Sequence, residues 1–464
     1  MKTIIRNATI ITMDTKNTVH ANASIAIIGN RIAAIGTGDD LDAASATGEW
    51  DVVDGSGKMV MPGLANLHTH FSMALARGMF EDFSPPNRPP FTGGFAPFPQ
   101  PELCSSQNAT MCKLAAIEAI RSGTTAVLED GFNISSYASA VARSGLRMVF
   151  AERAWDNSCV DIGSVTPFKR DEMLEQNGLE RIGALHEAWN GAEDGRIQVG
   201  IAAWAPDACS PELFGKLLRL QDRLSCLCTI HLNQFWGEVE AVKAVRGKLP
   251  TQYLHEVGFL RPGLIAAHCR CMACCEEVLL GRAGVTAVFA SAIAARRGLS
   301  PRIAELEARG CSIAMGSDNM SEDMVEVVRT GLFMERIRRG DGRNPAPEEV
   351  LRWATVNGYR ALGIDDGGCL AQGNLADLII VNLKQAHLVP STRPLSTFIH
   401  QGQGSDIESV MVDGRWVMRN YRILTMDEDA IVAEADEIGR RAWSDLFGAG
   451  RKHQPPIGFM PLTN

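Results

Sequence analysis

The 464-residue sequence lacks three features that would place it in other classes of protein. It has no apolar run of membrane-spanning length, and its first residues, MKTIIRN, break the apolar pattern too soon for a signal peptide. It has no basic excess, since 45 Lys and Arg face 54 Asp and Glu. It also has no internal repeat. We therefore expect a cytoplasmic globular protein that binds neither membranes nor nucleic acid.

The sequence also lacks the second ligand pair that a structural zinc site would need. Four of its twelve cysteines lie in residues 269–275 (CRCMACC), which contain a CxxC spacing. Because no further thiolate or imidazole pair follows at a suitable spacing, we interpret them as small side chains packed beside a strand. In a large chain without an export signal we expect the cysteines to be reduced.

The most informative motif present is the apolar run VMPGLANLHTH at residues 60–70, which ends in His68 and His70. In an extended strand, side chains at i and i+2 point to the same face, so this spacing directs two imidazoles to one point. Neutral imidazole nitrogens are ligands for zinc and similar divalent ions. The pair alone is weak evidence, because an HxH triplet often arises by chance.

Three later apolar runs also end in polar residues. They finish at His231, His268 and Asp318, and segments with helical patterning lie between them. Alternating strands and helices predict parallel β/α units, and in a (β/α)₈ barrel the carboxyl ends of all strands open on one face. The sequence therefore predicts an α/β fold, a TIM-type (β/α)₈ barrel that brings these polar side chains together.

The two ends of the chain have the alternation and turns of antiparallel strands. We expect both ends to build one small β-sandwich, from residues 1–60 and 369–425, beside a barrel at 61–368. Residues 426–464 should begin as a charged amphipathic helix and end as a proline-containing tail.

These motifs together resemble the amidohydrolase superfamily, in its cytosine-deaminase-like and triazine-hydrolase (chlorohydrolase)-like branch. The resemblance spans nearly the whole chain and rests on PGLANLHTH (62–70), GTTA (123–126), CSPE (209–212), AHC (267–269), GSD (316–318) and GNLADL (373–378). It implies one divalent metal, zinc with iron and manganese as alternatives, held by His68, His70, His231 and Asp318, with His268 as the catalytic partner. It also implies a homodimer or homotetramer.

The chemistry of these side chains agrees with that assignment. A bound metal lowers the pKa of water from about 15.7 to about 7. Asp318 can take the proton of the attacking water, and His268 can hold that water or stabilise the tetrahedral adduct.

The sequence departs from the resemblance at Gln234. Deaminases of this branch carry a glutamate there, three residues after the histidine equivalent to His231, and a glutamine cannot transfer a proton. Three interpretations stay open: another acid such as Glu238, Glu240 or His268 acts instead; the leaving group departs as an anion, such as halide or hydrosulfide; or the chain is no longer an enzyme.

Candidate substrate contacts follow from two further segments. Trp204 stands where many relatives place a histidine, and its indole could either stack on a flat heterocycle or pack internally. The proline-rich loop at residues 84–101 suits a substrate wall or lid, with Arg88 as an anion clamp and Phe91, Phe95 and Phe98 as apolar contacts, although a subunit contact is the alternative. The pair Arg296 and Arg297 is either an anion site or solvated surface charge.

The sequence thus predicts a metal-dependent hydrolase that attacks a ring carbon of a small nitrogen heterocycle and releases ammonia. His268, Asp318 and Gln234 are its predicted catalytic residues, and Trp204, Gln234, Arg88 and Phe91 its predicted substrate contacts. Hydrolytic loss of halide or sulfide from a similar ring is the alternative reaction. A non-catalytic scaffold with the same fold is the alternative from another class.

Overall fold

The computed structural model describes residues 2–37, 41, 49–81, 100–159, 167–273, 275–448 and 453–462. Its strands are β1 (Lys2–Ile11), β2 (Val19–Ile28), β3 (Arg31–Gly36), β4 (Asp51–Asp54), β5 (Lys58–Pro62), β6 (Leu64–Thr69), β7 (Thr124–Gly131), β8 (Arg147–Ala154), β9 (Ile197–Ala203), β10 (Cys228–Leu232), β11 (Leu264–His268), β12 (Thr286–Phe289), β13 (Ser312–Met315), β14 (Leu378–Asn382), β15 (Ile407–Val412), β16 (Arg415–Arg419) and β17 (Arg422–Ile423).

The α-helices are α1 (Ser105–Arg121), α2 (Ala138–Ala142), α3 (Glu172–Trp189), α4 (Pro211–Leu224), α5 (Trp236–Arg246), α6 (Pro250–Glu256), α7 (Glu276–Arg282), α8 (Ser291–Arg296), α9 (Ile303–Ala308), α10 (Met324–Arg339), α11 (Pro347–Trp353), α12 (Val356–Ala361), α13 (Pro394–Gln401) and α14 (Glu428–Leu446). Short 3₁₀ helices cover Phe71–Ala76, Ile134–Ser136 and Gly404–Asp406.

Strands β6 to β13 form the barrel. They lie side by side in chain order and every neighbouring pair is parallel. The two edges meet where Thr69 pairs with Asp318: the Asp318 amide donates to the His68 carbonyl at 2.9 Å, and the His70 amide donates to the Asp318 carbonyl at 3.2 Å. The predicted (β/α)₈ barrel is confirmed.

The barrel interior is filled by small and branched side chains rather than left open. One buried cluster contains Ala126 and Leu128 of β7, Val149 and Ala151 of β8, and Ala202 of β9. Because alternate residues of a strand share a face, the next inward positions on these three strands are 130, 153 and 204. The packed interior layer thus lies directly below the residues at the carboxyl ends of these strands.

The chain ends join in a second sheet, in the order β17-β16-β15-β14-β5-β1-β2-β3, with β4 also paired to β1. The N-terminal and C-terminal parts meet where β5 runs antiparallel to β14, with Pro62 opposite Leu378. The prediction that both ends build one β unit beside the barrel is confirmed. The boundaries after residues 60, 368 and 425 stay predictions, and β5 continues in this sheet as far as Pro62.

Helix α14 lies against the barrel face that carries the polar residues. Its Trp443 is buried, and the indole nitrogen donates to the Leu75 carbonyl at 2.8 Å. The indole packs in a cluster with Phe80 and Met111. In the described part of the chain, none of the helices is both long and apolar enough to cross a membrane.

Candidate metal centre and active site

Four histidines and one aspartate converge at the carboxyl ends of the barrel strands. His68 lies in β6, His70 follows it directly, His231 lies in β10, His268 ends β11, and Asp318 follows β13. The ring centroid of His68 is 4.7 Å from those of His70 and His231 and 4.9 Å from that of His268. Residues up to 250 positions apart in sequence therefore share one small volume, which we call the His/Asp cluster.

The side-chain atoms of the His/Asp cluster lie at distances that a single ion could bridge. The Nε2 atoms of His70 and His231 are 3.3 Å apart, and Asp318 Oδ1 is 3.5 Å from His70 Nε2 and 3.8 Å from His68 Nε2. His268 Nδ1 is 3.9 Å from Asp318 Oδ2. Candidate ligand atoms of His68, His70 and Asp318, and of His68, His231 and His268, all lie within 4.8 Å of one another.

The donor set fits a divalent cation. Both ring nitrogens of His68 and of His268, and both carboxylate oxygens of Asp318, are buried and have no hydrogen-bond partner in the part of the chain that is described. Burial lowers the pKa of His68, His231 and His268 well below the ordinary value, so these imidazoles are neutral, which is the form that binds metal. Buried polar atoms normally have partners, and a bound ion would supply them here.

Backbone carbonyls orient two of the imidazoles. His70 Nδ1 lies 2.6 Å from the Asp130 carbonyl, and His231 Nδ1 lies 2.9 Å from the Trp204 carbonyl. An N–H at each Nδ1 directs the Nε2 lone pair into the cluster, the usual arrangement around metal-binding histidines. His70, Asp130 and His231 also form a possible ligand group, in which Asp130 Oδ2 lies 3.4 Å from His231 Nδ1.

A buried carboxyl ties the two edge strands together behind the His/Asp cluster. Glu322 accepts hydrogen bonds from Thr69 Oγ1 at 2.6 Å, Asn66 Nδ2 at 3.0 Å and Ser317 Oγ at 2.8 Å. These partners flank His68 on β6 and Asp318 after β13. The network therefore fixes the relative position of two predicted ligands.

A cavity of about 460 Å³ opens above the His/Asp cluster. Among the described residues it is lined by His70, His231 and Asp318, by the polar residues Gln100, Asn108, Asn133, Ser136, Arg153, Gln234 and Asn319, and by the rings of Phe132 and Trp204. Its size and mixed lining suit a small ring with polar substituents.

Trp204 forms an aromatic wall of this cavity. Its ring lies 5.2 Å from that of Trp155, and the guanidinium carbon of Arg153 lies 5.7 Å from its centre. Arg153 Nε donates to Asp130 Oδ1 at 3.0 Å, so this cation is held by a buried carboxylate. The sequence interpretation missed Asp130 and Arg153; the signal was a charged residue at the tip of each apolar run, where β7 and β8 end.

The predicted substitutes for a catalytic acid are not equivalent in the structure. Gln234 lines the cavity. Glu238 is buried and accepts the backbone N–H groups of Asn233 at 2.8 Å and Gln234 at 2.7 Å, so it caps the start of α5, and burial raises its pKa well above the ordinary value. Neither Glu238 nor Glu240 is among the described residues that line the cavity.

The two arginines of the pair differ: Arg297 is buried and so is not solvated surface charge, whereas Arg296 stays partly exposed, and the anion-site interpretation stays a prediction. Arg296 forms an ion pair with Glu326 at 3.0 Å, and Arg297 is buried and donates to the carbonyls of Phe80 and Glu81 at 2.7 and 3.1 Å. Both side chains connect structural elements. Arg88 and Phe91, with Phe95 and Phe98, lie outside the described residues.

The cysteine-rich segment contributes packing. Cys269 and Cys271 are buried, burial raises the pKa of both thiols, and no cysteine joins a possible metal-binding group among the residues that the structure describes. The eleven described cysteines are free thiols.

A parallel barrel with a His/Asp cluster at its carboxyl face defines the class: a (β/α)₈ hydrolase fold with a possible metal centre. The family model named "Amidohydrolase family" matches residues 59–417. The chain belongs to the amidohydrolase family, as the sequence motifs predicted.

Curated relatives cover almost the whole chain. It is 30% identical over 449 residues to a 5-methylthioadenosine/S-adenosylhomocysteine deaminase of Pelotomaculum thermopropionicum, covering 94% of this chain and 98% of the relative. It is 31% identical over 432 residues to a 5'-deoxyadenosine deaminase of Methanothermobacter thermautotrophicus, covering 92% and 95%. These names agree with the predicted class of hydrolase acting on C–N bonds.

Solved structures share the fold. An adenosine deaminase from Xanthomonas campestris with bound zinc superposes with a TM-score of 0.81 at 23% identity, covering 95% of this chain and 98% of the other. Atrazine chlorohydrolase from Arthrobacter aurescens TC1, complexed with zinc, gives a TM-score of 0.80 at 20% identity, covering 94% and 100%.

Proposed function

We propose that this chain is a metal-dependent hydrolytic deaminase of a small nitrogen heterocycle. The observation that carries the proposal is the His/Asp cluster below a cavity sized for one ring: within the described part of the chain, the ring nitrogens of His68 and His268 and the carboxylate oxygens of Asp318 are buried without hydrogen-bond partners. Two further observations support it: the chain's membership of the amidohydrolase family and the deaminase names of its curated relatives.

His68, His70, His231 and Asp318 would hold one divalent ion, and zinc is the first candidate because two fold neighbours contain it. When bound, the ion lowers the pKa of water at the site to about 7. Asp318 takes the proton of the attacking water at a carboxylate oxygen. His268, beside that carboxylate, would donate a hydrogen bond to the oxygen of the attacking water. As the carbon–oxygen bond forms, the electron pair of the ring C=N bond moves to the ring nitrogen, which takes the proton from Asp318. The remaining hydroxyl proton must then reach the departing amine.

Trp204 and Gln234 are the proposed substrate contacts that the structure describes. The indole gives the ring a flat apolar surface, and the Gln234 amide offers one donor group and one acceptor to ring nitrogens. A heterocycle lying between these side chains would have a ring carbon above the His/Asp cluster. Arg88 and Phe91 remain predicted contacts from the sequence.

Gln234 supports a second candidate reaction at the same site. Ammonia leaves readily only after it receives a proton, and the glutamine amide cannot supply one. Halide and hydrosulfide depart as anions and need no proton. Hydrolytic loss of such a group from a similar ring is therefore the alternative function.

The test is elemental analysis of the purified chain, with a parallel screen for ammonia, halide and sulfide release from aminated, halogenated and thio-substituted heterocycles. We expect about one divalent ion per chain and ammonia release. Halide or sulfide release without ammonia would favour the alternative reaction. A metal-free protein with no turnover after zinc is added would indicate a scaffold and overturn the proposal.

The proposal also includes the cellular compartment and the number of subunits. We place the enzyme in the cytoplasm, a reducing compartment that suits the eleven free thiols among the described residues. We expect a homodimer or homotetramer, which light scattering on the eluting protein would measure.

A further inference from the structure

Aromatic residues stand directly beyond the ends of three neighbouring barrel strands. Phe132 follows β7, Trp155 follows β8 and Trp204 follows β9. The centre of the Trp155 ring lies 5.3 Å from that of Phe132 and 5.2 Å from that of Trp204, close to the spacing of adjacent strands. We call these three rings the aromatic row.

The inner end of the aromatic row lies beside the His/Asp cluster. The Trp204 carbonyl is 2.9 Å from His231 Nδ1, and the Trp204 ring lines the cavity above the cluster. The guanidinium carbon of Arg153, which also lines the cavity, is 5.7 Å from the centre of that ring. A heterocycle stacked on this indole would therefore lie next to the predicted metal ligands.

The outer end of the row, Phe132, lines the same cavity and is open to solvent. Its surface is 52% exposed, and among the large exposed apolar side chains of the described residues it is the only one in the lining of this cavity. Single apolar side chains on an outer surface need no explanation. An exposed ring in a candidate substrate cavity does, since a molecule bound there removes apolar surface from water.

A buried carboxylate fixes the chain around Phe132. Glu152 accepts the backbone N–H groups of Asn133 and Ile134 and the Nε–H of Arg181, each at 2.8 Å. The Arg181 guanidinium carbon in turn lies 4.5 Å from the centre of the Phe132 ring. The ring is therefore positioned before any ligand binds, which lowers the cost of ordering it on binding.

We propose that the aromatic row is an extended substrate surface, on which Trp204 stacks the reacting heterocycle and Phe132 stacks a second flat group of the same molecule. Because the Trp155 ring separates the two positions, a single small ring on Trp204 would not reach Phe132. The inference rests on the proposed function and deepens it by naming the substrate class: nitrogen heterocycles that carry an aryl substituent on a short linker. A flat group is favoured because aromatic pairs attract each other beyond the apolar area that they bury.

Binding of deaminated rings tests this inference without turnover. The probes are 9-methylhypoxanthine, 9-benzylhypoxanthine and 9-(cyclohexylmethyl)hypoxanthine, titrated into the zinc-loaded protein in a calorimeter. We expect the benzyl compound to bind at least about tenfold more tightly than the methyl compound, and at least about threefold more tightly than the cyclohexylmethyl compound, whose substituent is not flat. Phe132→Ala should reduce the benzyl-to-methyl ratio to below about threefold.

Phe333→Ala is the matched control. Phe333 of α10 is also a partly exposed phenylalanine, at 41%, and it is not among the described residues that line the cavity. This variant should retain the wild-type ratio. If Phe132→Ala does not fold, Phe132→Leu keeps an apolar side chain and loses the flat ring, so the benzyl and cyclohexylmethyl compounds should bind equally to it.

Three results would overturn the inference. One is that the wild type binds 9-benzylhypoxanthine no better than the methyl compound, or not detectably. Another is equal binding of the benzyl and cyclohexylmethyl compounds by the wild type, which would show a surface without preference for flat groups. The third is an unchanged ratio in Phe132→Ala, and a lower Tm of that variant would then show that the ring packs against the chain or a second copy.

Failure of the proposed function appears separately from failure of this inference. It would be the absence of ammonia release from 9-benzyladenine, the aminated counterpart, by a protein that still prefers 9-benzylhypoxanthine.

Discussion

At the scale of single residues, the proposed function makes Gln234 the residue that bears on the choice of leaving group. Its side chain lines the cavity, and Glu238, the nearest acid in the sequence, is engaged in capping α5. If proton supply limits the reaction, Gln234→Glu should raise ammonia release from an aminated heterocycle by at least about tenfold, because a positioned general acid contributes 10² to 10⁴. Steady-state kcat on that substrate is the measurement.

The matched control is Gln252→Glu, which makes the same change at the start of α6, where Gln252 accepts the Leu249 N–H at 3.1 Å. It should leave kcat unchanged. Unaltered ammonia release by Gln234→Glu on every aminated ring in the panel would show that the missing acid does not limit the reaction.

A second residue, Glu129, makes a pH-dependent contribution to stability. Burial raises its pKa to about 8, while its carboxyl accepts the Phe71 N–H and the Tyr137 hydroxyl. A group whose pKa is raised on folding contributes its full stabilisation at pH values below the pKa of the unfolded state. It loses that stabilisation as the pH rises through the pKa of the folded state. Because the side chain of Glu129→Gln stays neutral, the free energy of unfolding of this variant should rise relative to that of wild type by about 1.4 kcal/mol per pH unit between pH 6 and 8.

Urea unfolding of both proteins at pH 6, 7 and 8 measures the difference. In the control Glu428→Gln, which removes a half-buried carboxyl paired with Arg121 on α14, the free energy of unfolding should change by the same amount at all three pH values. If the free energies of unfolding of Glu129→Gln and wild type also differ by the same amount at all three pH values, the Glu129 carboxyl is ionised in the folded protein.

At the scale of elements, the barrel closes because β13 approaches β6 without a side chain between them. A Cβ added to Gly316 would lie 2.9 Å from the backbone N and O of His68, closer than real contacts allow. Gly316→Ala should therefore push the edge strands apart, lower the free energy of unfolding by about 1–3 kcal/mol and weaken metal binding. Denaturant unfolding and chelator competition measure the two effects.

Gly183→Ala is the matched control for that substitution. Gly183 lies within α3, and an added Cβ would meet nothing within 4 Å. It should stabilise the protein by up to about 1 kcal/mol, because alanine favours helix. Equal effects of the two substitutions would contradict the close approach of β13 to β6.

The elements also show what the sequence could predict. Apolar runs ending at His231, His268 and Asp318 were recognisable because a buried parallel strand is a short continuous apolar segment. The contacts of Arg297 were not, because the carbonyls of Phe80 and Glu81 that accept its hydrogen bonds lie more than 200 residues away in sequence. The ligand assignment itself stays a prediction until metal is measured.

At the scale of the whole molecule, one ion would hold the barrel closed. Its proposed ligands come from β6, β10 and the end of β13, so it would join the first and last strands of the barrel. Among the described residues these strands are also joined by the Thr69–Asp318 bridge, the Asn66–Ser317 hydrogen bonds and the bonds of Glu322. Binding to the folded state alone stabilises by about 4 kcal/mol when free ligand is a thousandfold above Kd.

Removing the metal with a chelator should therefore lower the Tm of the entire chain, and adding zinc should restore it, as measured by calorimetry. The reason is that the ion would join the first and last barrel strands, and the 3₁₀ helix that follows His70 carries the Leu75 carbonyl to which Trp443 of α14 donates. His68→Ala should already have the lower Tm and should not respond to chelator, whereas His255→Ala, an exposed residue of α6, should behave as wild type. A Tm that does not move on metal removal would show that the His/Asp cluster serves chemistry without contributing to the stability of the fold.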